Sequence, residues 1–232
     1  MRTISICIPT WNRCEMTLNA FNEVYSDKRI NEIVIVDDCS DIEIYEELKS
    51  ICDLLPKVKL HRNEVNLDCY KNKKQAITYA KNEYVLIIDS DNQVNTSFID
   101  KIFEQEWSED TILAPSYAMP TFDYRPYSGI TLTRNNIAQY IDKPMLQTLL
   151  NTANYFVNKN TYLECFDETI DPVTSDSIFM NYNLLQEGNK IKVVEGLEYL
   201  HLVHSGSHYV NNVKRTPENF NEILLDKLRN LS

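Results

Sequence analysis

Asp89-Ser90-Asp91 sets two carboxylates two residues apart, directly after the apolar run Tyr84–Ile88. Such a run reads as a buried strand, so the acids stand where a strand ends and a loop begins. In open α/β sheets ligands bind in the crevice beyond the carboxyl ends of the strands. Carboxylates are hard oxygen ligands that suit Mg²⁺ or Mn²⁺, and these ions usually bridge to substrate phosphates. The plainer reading is a turn whose Asp caps the next helix. Thr96 is better placed for that cap, which leaves the acids for a metal.

Other residues carry chemistry with a plain reading beside it. Asp176 opens the helix expected over Ser175–Glu187. The positive end of the helix dipole favours an ionised carboxylate there, which serves either a general base or helix stability alone; Asp167 and Asp171 stand nearby. His201, His204 and His208 cluster late in the chain. In an extended strand His201 and His204 point to opposite faces, so one of them at most joins a metal. Lys71, Lys73, Lys74 and Lys81 make one helix basic. Lys73 and Lys74 either approach phosphates or form a solvated face. After residue 115 aromatics are frequent, and aromatic faces stack on sugars. Asn154 and Tyr155 are the acceptor-contact candidates in that half.

Composition narrows the class. The net charge of −11 argues against nonspecific nucleic-acid binding, which needs a basic footprint. Six scattered cysteines without a CxxC pair read as reduced thiols of a cytoplasmic protein. The opening Met1–Ile8 reads as a first strand ended by Pro9, not as a secretion signal. No apolar run approaches a membrane span, so any contact with a lipid-linked acceptor at the inner face of a membrane would be peripheral. With four glycines there is no GxGxxG or Walker loop.

The elements that position these residues alternate through the first half. Strands are expected at Thr3–Ile8, Glu32–Val36, Lys57–His61, Tyr84–Ile88 and Thr111–Ala114. Between them lie helices with apolar faces: Cys14, Leu18, Phe21 and Tyr25; then Ile44, Leu48, Ile51 and Leu55; then a helix from Asp68 to Lys81; then one from Asn95 or Thr96 through Trp107. This order predicts an α/β fold with a doubly wound, mostly parallel sheet flanked by helices. Thr10, Asp38 and Asp91 should gather on one sheet edge. Residues 116–150 read as an irregular insertion with a short strand near Ile130–Thr133. Later strands are expected at Ile191–Val194 and Tyr199–Val203, with a helical tail from Pro217. Nothing separates two domains, so residues 1–232 form one domain. Residues 1–115 make the nucleotide half and 116–232 the acceptor half.

Four blocks resemble the family 2 glycosyltransferases, which have the GT-A fold. Ile4–Arg13 (ISICIPTWNR) is similar to the family's opening VSVIIPTYNR, and Glu32–Ser40 (EIVIVDDCS) to EIIVVDDGS. Glu83–Asp91 is similar to the segment that holds the family's DxD motif, and Ser175–Phe179 lies where the family has its ED motif. The resemblance implies a nucleotide-sugar donor with a UDP-sugar favoured, a divalent metal (Mn²⁺ or Mg²⁺), and hexosyl transfer with inversion to a glycan or lipid-linked saccharide, as in polysaccharide biosynthesis. By position it implies that Pro9, Thr10, Asn12, Arg13, Asp38, Lys73, Asp89 and Ser90 line the donor pocket. Asp38 would accept a base N–H. Asp91, with Asp89 and His204, would hold the metal; His204 is chosen because its spacing to Gly206-Ser207 fits the family's late stretch. Asp176 would be the general base.

This chain departs from the pattern at four places. Cys39 replaces a glycine, Lys73 and Lys74 stand where the family has Arg and Asn, and Ser175 replaces the Glu before Asp176. Two alternatives stand beside the transferase. One is a non-catalytic nucleotide-sugar or glycan-binding protein on the same fold. The other is a nucleotidyltransferase, which Pro9–Arg13 fits poorly for want of glycines.

Overall fold

β-Branched residues dominate Ile4–Thr10 and Ile30–Asp37, as a strand buried on both faces requires. These segments form β1 and β2, and every residue of β1 is buried. The computed structural model describes residues 2–152, 154–202, 207 and 220–231. The chain continues with α1 (Cys14–Phe21), α2 (Ile42–Cys52), β3 (Val58–Arg62), α3 (Asp68–Tyr79), β4 (Tyr84–Ile87), β5 (Asn92–Gln93), α4 (Thr96–Phe103) and β6 (Thr111–Ala114) around those two strands. The second half contributes β7 (Tyr117–Met119), β8 (Phe122–Asp123), β9 (Thr131–Leu132), α5 (Leu146–Leu150), β10 (Phe156–Asn158), α6 (Lys159–Glu164), α7 (Asp176–Gln186), β11 (Lys190–Val193), β12 (Glu198–His201) and a last helix, α8 (Phe220–Arg229).

The large sheet runs β3-β2-β1-β4-β10-β6-β11-β9. β3, β2, β1 and β4 are mutually parallel. The strand after β4 in sequence is not its neighbour in space. β10 lies between β4 and β6, antiparallel to both, and β11 returns parallel to β6. The sheet is thus mostly parallel, as its alternating pattern predicts, with β10 inserted antiparallel and β9 antiparallel to β11 at the edge. A small sheet, β5-β12-β7-β8, stands beside it.

Local differences have physical causes. The fourth helix stops at Phe103, short of Trp107. The Trp107 indole N–H donates to the Ile102 carbonyl at 2.9 Å, and its ring packs on Phe103, Tyr84 and Phe156. Asn95, not Thr96, caps that helix by accepting the Phe98 N–H at 3.0 Å. Asp68 has φ of 64° and follows the N-cap Leu67, so it does not cap α3 itself. Along α2, Leu48 is buried while Ile51 lies among the exposed apolar residues. Cys39 has φ of 60°, which accounts for the glycine expected there: glycine visits that region without steric cost.

The core is continuous across the large sheet. Leu86, fully buried, pairs with Ile6 of β1 on one side and Phe156 of β10 on the other. Leu86→Ala is expected to lower the unfolding free energy by about 3 kcal/mol, since it removes buried methyl groups and leaves a cavity. Urea melts of the two proteins measure this, and a loss close to zero would contradict the packing described.

Candidate active site

A cleft of about 1110 Å³ opens beyond the carboxyl ends of β1, β2 and β4. This is where the strand order turns back on itself between β1 and β4, the expected ligand position in an open α/β sheet. Pro9, Thr10, Arg13, Asp38, Lys73, Asp89, Ser90, Asp91, Asn154 and Asp176 all line it. Residues separated by most of the chain are therefore neighbours, as the strand-end argument required for Thr10, Asp38 and Asp91.

Each group is held by an identifiable contact. Thr10 is buried, and its hydroxyl lies 2.6 Å from that of Thr17 on α1. Asp38 accepts the Leu67 N–H at 2.8 Å and the Asn63 side-chain amide at 2.7 Å, both on one carboxylate oxygen. The loop into α3 is thereby tied to the end of β2. Burial pushes the Asp38 carboxyl up, against those two hydrogen bonds. Asn66, Asn63 and Asn72 form a polar lattice under this loop: Asn66 donates to the Asp38 carbonyl and Asn72 to that of Val36, while Asn63 donates to the Asn72 side chain. Asn12 (φ 53°) is a scaffold residue whose side chain accepts the Asp41 N–H at 2.8 Å. It does not line the cleft as a nucleotide contact would.

The acid triplet is braced from three sides. Arg13 donates to Asp91 Oδ2 at 2.8 Å and to Ser90 Oγ at 3.4 Å. The Asp89 N–H donates to Asn154 Oδ1 at 2.8 Å, and the Asn154 amide returns to Asp89 Oδ2 at 3.3 Å. Asn154 thus turns its amide to the triplet rather than to an acceptor. Tyr155, the other expected acceptor contact, is 1% exposed and packs in the core. Consecutive residues of an extended segment face opposite ways, so once Asn154 faces the cleft Tyr155 cannot. Tyr127 and Phe156 are likewise buried away from the cleft, while Phe122 and the buried Tyr124 line it.

Lys73 departs most from expectation. Its side chain is 6% exposed, and its ammonium lies 2.7 Å from Asp176 Oδ2 and 3.0 Å from Asp89 Oδ1. Burying an ammonium costs several kcal/mol unless anions and hydrogen bonds compensate it. Burial works against the charge, yet Asp176 and Asp89 hold the Lys73 pKa well above its usual value. Burial likewise pushes Asp89 up, but Lys73, Arg13 and His201 outweigh it and hold the carboxyl below its ordinary range. Asp89 remains 31% exposed toward the cleft. The neighbouring Lys74 pairs with Glu168 away from this cleft.

Asp176 is the first residue of α7. The entry to α7 is fixed by Asn151 at the end of α5, which accepts the Ile178 N–H at 3.3 Å and donates to the Thr174 carbonyl at 3.4 Å. Ser175 hydrogen-bonds to Asn221 of α8. Asp167 and Asp171 are not among the residues lining the cleft.

Among the described residues no three His, Cys, Asp or Glu side chains cluster tightly enough to hold a metal alone. A Mg²⁺-type ion needs only one or two carboxylates, with waters and substrate phosphates filling the remaining positions. Asp91 and Asp89 meet that requirement. His204 lies outside the described residues. His201 lines the cleft, with Nδ1 3.0 Å from the Asn92 side-chain oxygen.

Three comparisons with known proteins bear on this site. The sequence model of glycosyl transferase family 2 matches residues 5–157, the larger part of the chain. The putative colanic acid biosynthesis glycosyl transferase WcaA of Escherichia coli K12 is 26% identical over 221 residues, covering 91% of this chain and 77% of WcaA. Among solved structures, S. aureus TarS residues 1–349 in complex with UDP-GlcNAc superposes with a TM-score of 0.67 at 18% identity, covering 89% of this chain and 60% of that one. The mannosyltransferase PcManGT from Pyrobaculum calidifontis, in complex with GDP-Man and Mn²⁺, gives a TM-score of 0.66 at 12% identity, covering all of this chain and 70% of that one. At such identities the structural likeness speaks for the fold, and the family match speaks for the chemistry. The chain belongs to glycosyl transferase family 2 and is a glycosyltransferase with a GT-A fold.

Proposed function

We propose that this glycosyltransferase moves a sugar from a nucleoside diphosphate sugar, with UDP-sugars favoured, to a hydroxyl of a saccharide or glycolipid acceptor. The reaction inverts the anomeric centre and depends on a divalent metal. The observation that carries this reading is the convergence of Asp89, Asp91 and Asp176 on one cleft from opposite halves of the chain.

In this mechanism Thr10 and Asp38 hold the nucleoside. Asp38 already commits one carboxylate oxygen to Leu67 and Asn63, and its remaining acceptor capacity serves a base N–H, as uracil provides. Asp91, with Asp89, holds Mn²⁺ or Mg²⁺, which supplies Lewis-acid stabilisation of the departing diphosphate. Arg13, 2.8 Å from Asp91, adds a cation beside the same phosphates. Asp176 takes the proton of the acceptor hydroxyl as its oxygen attacks the anomeric carbon, on the face opposite the leaving diphosphate. Neutral side chains such as Gln147, Thr148 and Asn151 line the cleft on the α5 side and supply hydrogen bonds to sugar hydroxyls.

Names borne by similar proteins support the donor class: TarS is described with UDP-GlcNAc and PcManGT with GDP-Man and Mn²⁺. Among the described residues no helix is long and apolar enough to cross a membrane. The test is a panel of nucleotide sugars screened for thermal stabilisation with and without Mn²⁺, followed by assay of diphosphate release with the best hit. At least one UDP-sugar is expected to stabilise the protein only with Mn²⁺. No metal-dependent stabilisation by any donor would overturn the reading.

A further inference from the structure

We propose that Lys73 is a positioning residue: its ammonium, wedged between Asp176 and Asp89, sets the Asp176 carboxylate against the donor site and does not itself bind the nucleotide. This rests on the reading of Asp176 as the base and extends it to a residue whose lysine character alone suggests a phosphate contact.

Three observations carry the inference. First, an ammonium has three N–H donors, and Lys73 has three acceptors in place: Asp176 Oδ2 at 2.7 Å, Asp89 Oδ1 at 3.0 Å and Ser177 Oγ at 3.5 Å. A phosphate could be added only by breaking one of them. Second, Lys73 holds one oxygen of Asp176 and leaves the other. Asp176 Oδ2 receives both Lys73 and the Ser177 hydroxyl, at 3.3 Å. Oδ1 has no partner among the described residues, which suits it to take a proton. Third, the two carboxylates that Lys73 joins come from opposite halves of the chain, Asp89 after β4 and Asp176 at the start of α7. The ammonium is therefore the direct link between the strand end that carries the donor-side acids and the helix that carries the base.

A positional link of this kind acts on kcat. Misplacing a reacting group by about 1 Å costs on the order of 100-fold in rate, while donor affinity, which rests chiefly on Asp91 and Asp38 and not on the ammonium, is left in place. Lys73→Met removes the ammonium and keeps the length of the side chain. We expect kcat to fall about 100-fold with UDP affinity unchanged, the latter read by isothermal titration in the presence of Mn²⁺. In the double variant Lys73→Met/Asp176→Asn, no loss beyond that of Asp176→Asn alone is expected, because residues acting as one unit are strongly non-additive.

The inference is overturned if Lys73→Met loses UDP affinity while kcat holds, or if the two losses multiply in the double variant. It is also overturned if melting temperature falls while kcat stays at the wild-type value, since the triad would then be structural only. If Lys73→Met does not fold, Lys73→Arg serves: reduced kcat at unchanged UDP affinity supports positioning, and weakened UDP affinity at unchanged kcat refutes it. Failure of the underlying base assignment is distinguishable, because it would leave Asp176→Asn itself fully active.

Discussion

Asp176→Asn is expected to lower kcat about 1000-fold while UDP affinity stays at the wild-type value. Asn has the shape of Asp and keeps an oxygen to accept from Lys73, but it cannot take a proton from an acceptor hydroxyl. Lys73 retains Asp89 at 3.0 Å, so the variant does not strand an unpaired buried cation, an error that would otherwise cost about 3–5 kcal/mol of stability. Loss of activity should therefore appear in a folded protein. Steady-state kinetics with a fixed donor and varied acceptor, beside a thermal melt, make the measurement. Retention of most of kcat would move the base role away from Asp176. Among the acids weighed from the sequence, Asp167 and Asp171 would be poor replacements, because neither lines the cleft.

Asp91→Asn is expected to remove the advantage that Mn²⁺ confers on donor binding. A metal that bridges carboxylate and diphosphate contributes several kcal/mol. With about 1.4 kcal/mol per tenfold, UDP should bind on the order of 100-fold more weakly in Mn²⁺, close to its metal-free affinity. The Arg13 guanidinium, now 2.8 Å from Asp91, faces a neutral amide in the variant and keeps its charge for the phosphates. Residual metal-independent binding is therefore expected rather than none. Calorimetric titration of UDP with Mn²⁺ and with a chelator separates the two contributions. Undiminished Mn²⁺ dependence in Asp91→Asn would show that other residues hold the ion.

How much of this was legible in the sequence depended on whether the deciding contacts were local. The strands that carry Thr10, Asp38 and Asp89 are continuous apolar runs, and a run of that kind has few structural outcomes in an alternating α/β chain. Their strand ends, and hence the shared cleft edge, follow from topology alone. β10 was harder. Asn154–Asn160 reads as a strand or the start of a helix, and nothing in it says that Phe156–Asn158 enters between β4 and β6 in the opposite direction. The two-residue β5 and β8 carry no periodicity at all; they exist because the small sheet pairs them.

The site divides along the same line. Asp89, Asp91 and Asp176 announced themselves by type and position. The place of Lys73 did not, because a lysine among Lys71, Lys74 and Lys81 on one helix looks solvated. Its burial depends on Asp176, which the sequence brings in only after the whole acceptor half. Tyr155 and Asn154 show a signal that was present but unused. Their adjacency on an extended segment means that one faces the cleft and the other the core, and amide against phenol ring already favours Asn154 for the polar side. The asparagines at 63, 66 and 72 carry no motif, and only the fold reveals that they hold the Asp38 loop.

The claim that most of this account depends on is that Asp91 holds the ion that meets the donor diphosphate. Crystals of the protein grown with Mn²⁺ and UDP, measured at the manganese absorption edge, test it in one anomalous difference map. A single strong peak is expected in the cleft, in direct contact with the Asp91 carboxylate and with the diphosphate. UDP bound in the cleft with no manganese peak beside Asp91, or with the peak on other residues, would contradict it.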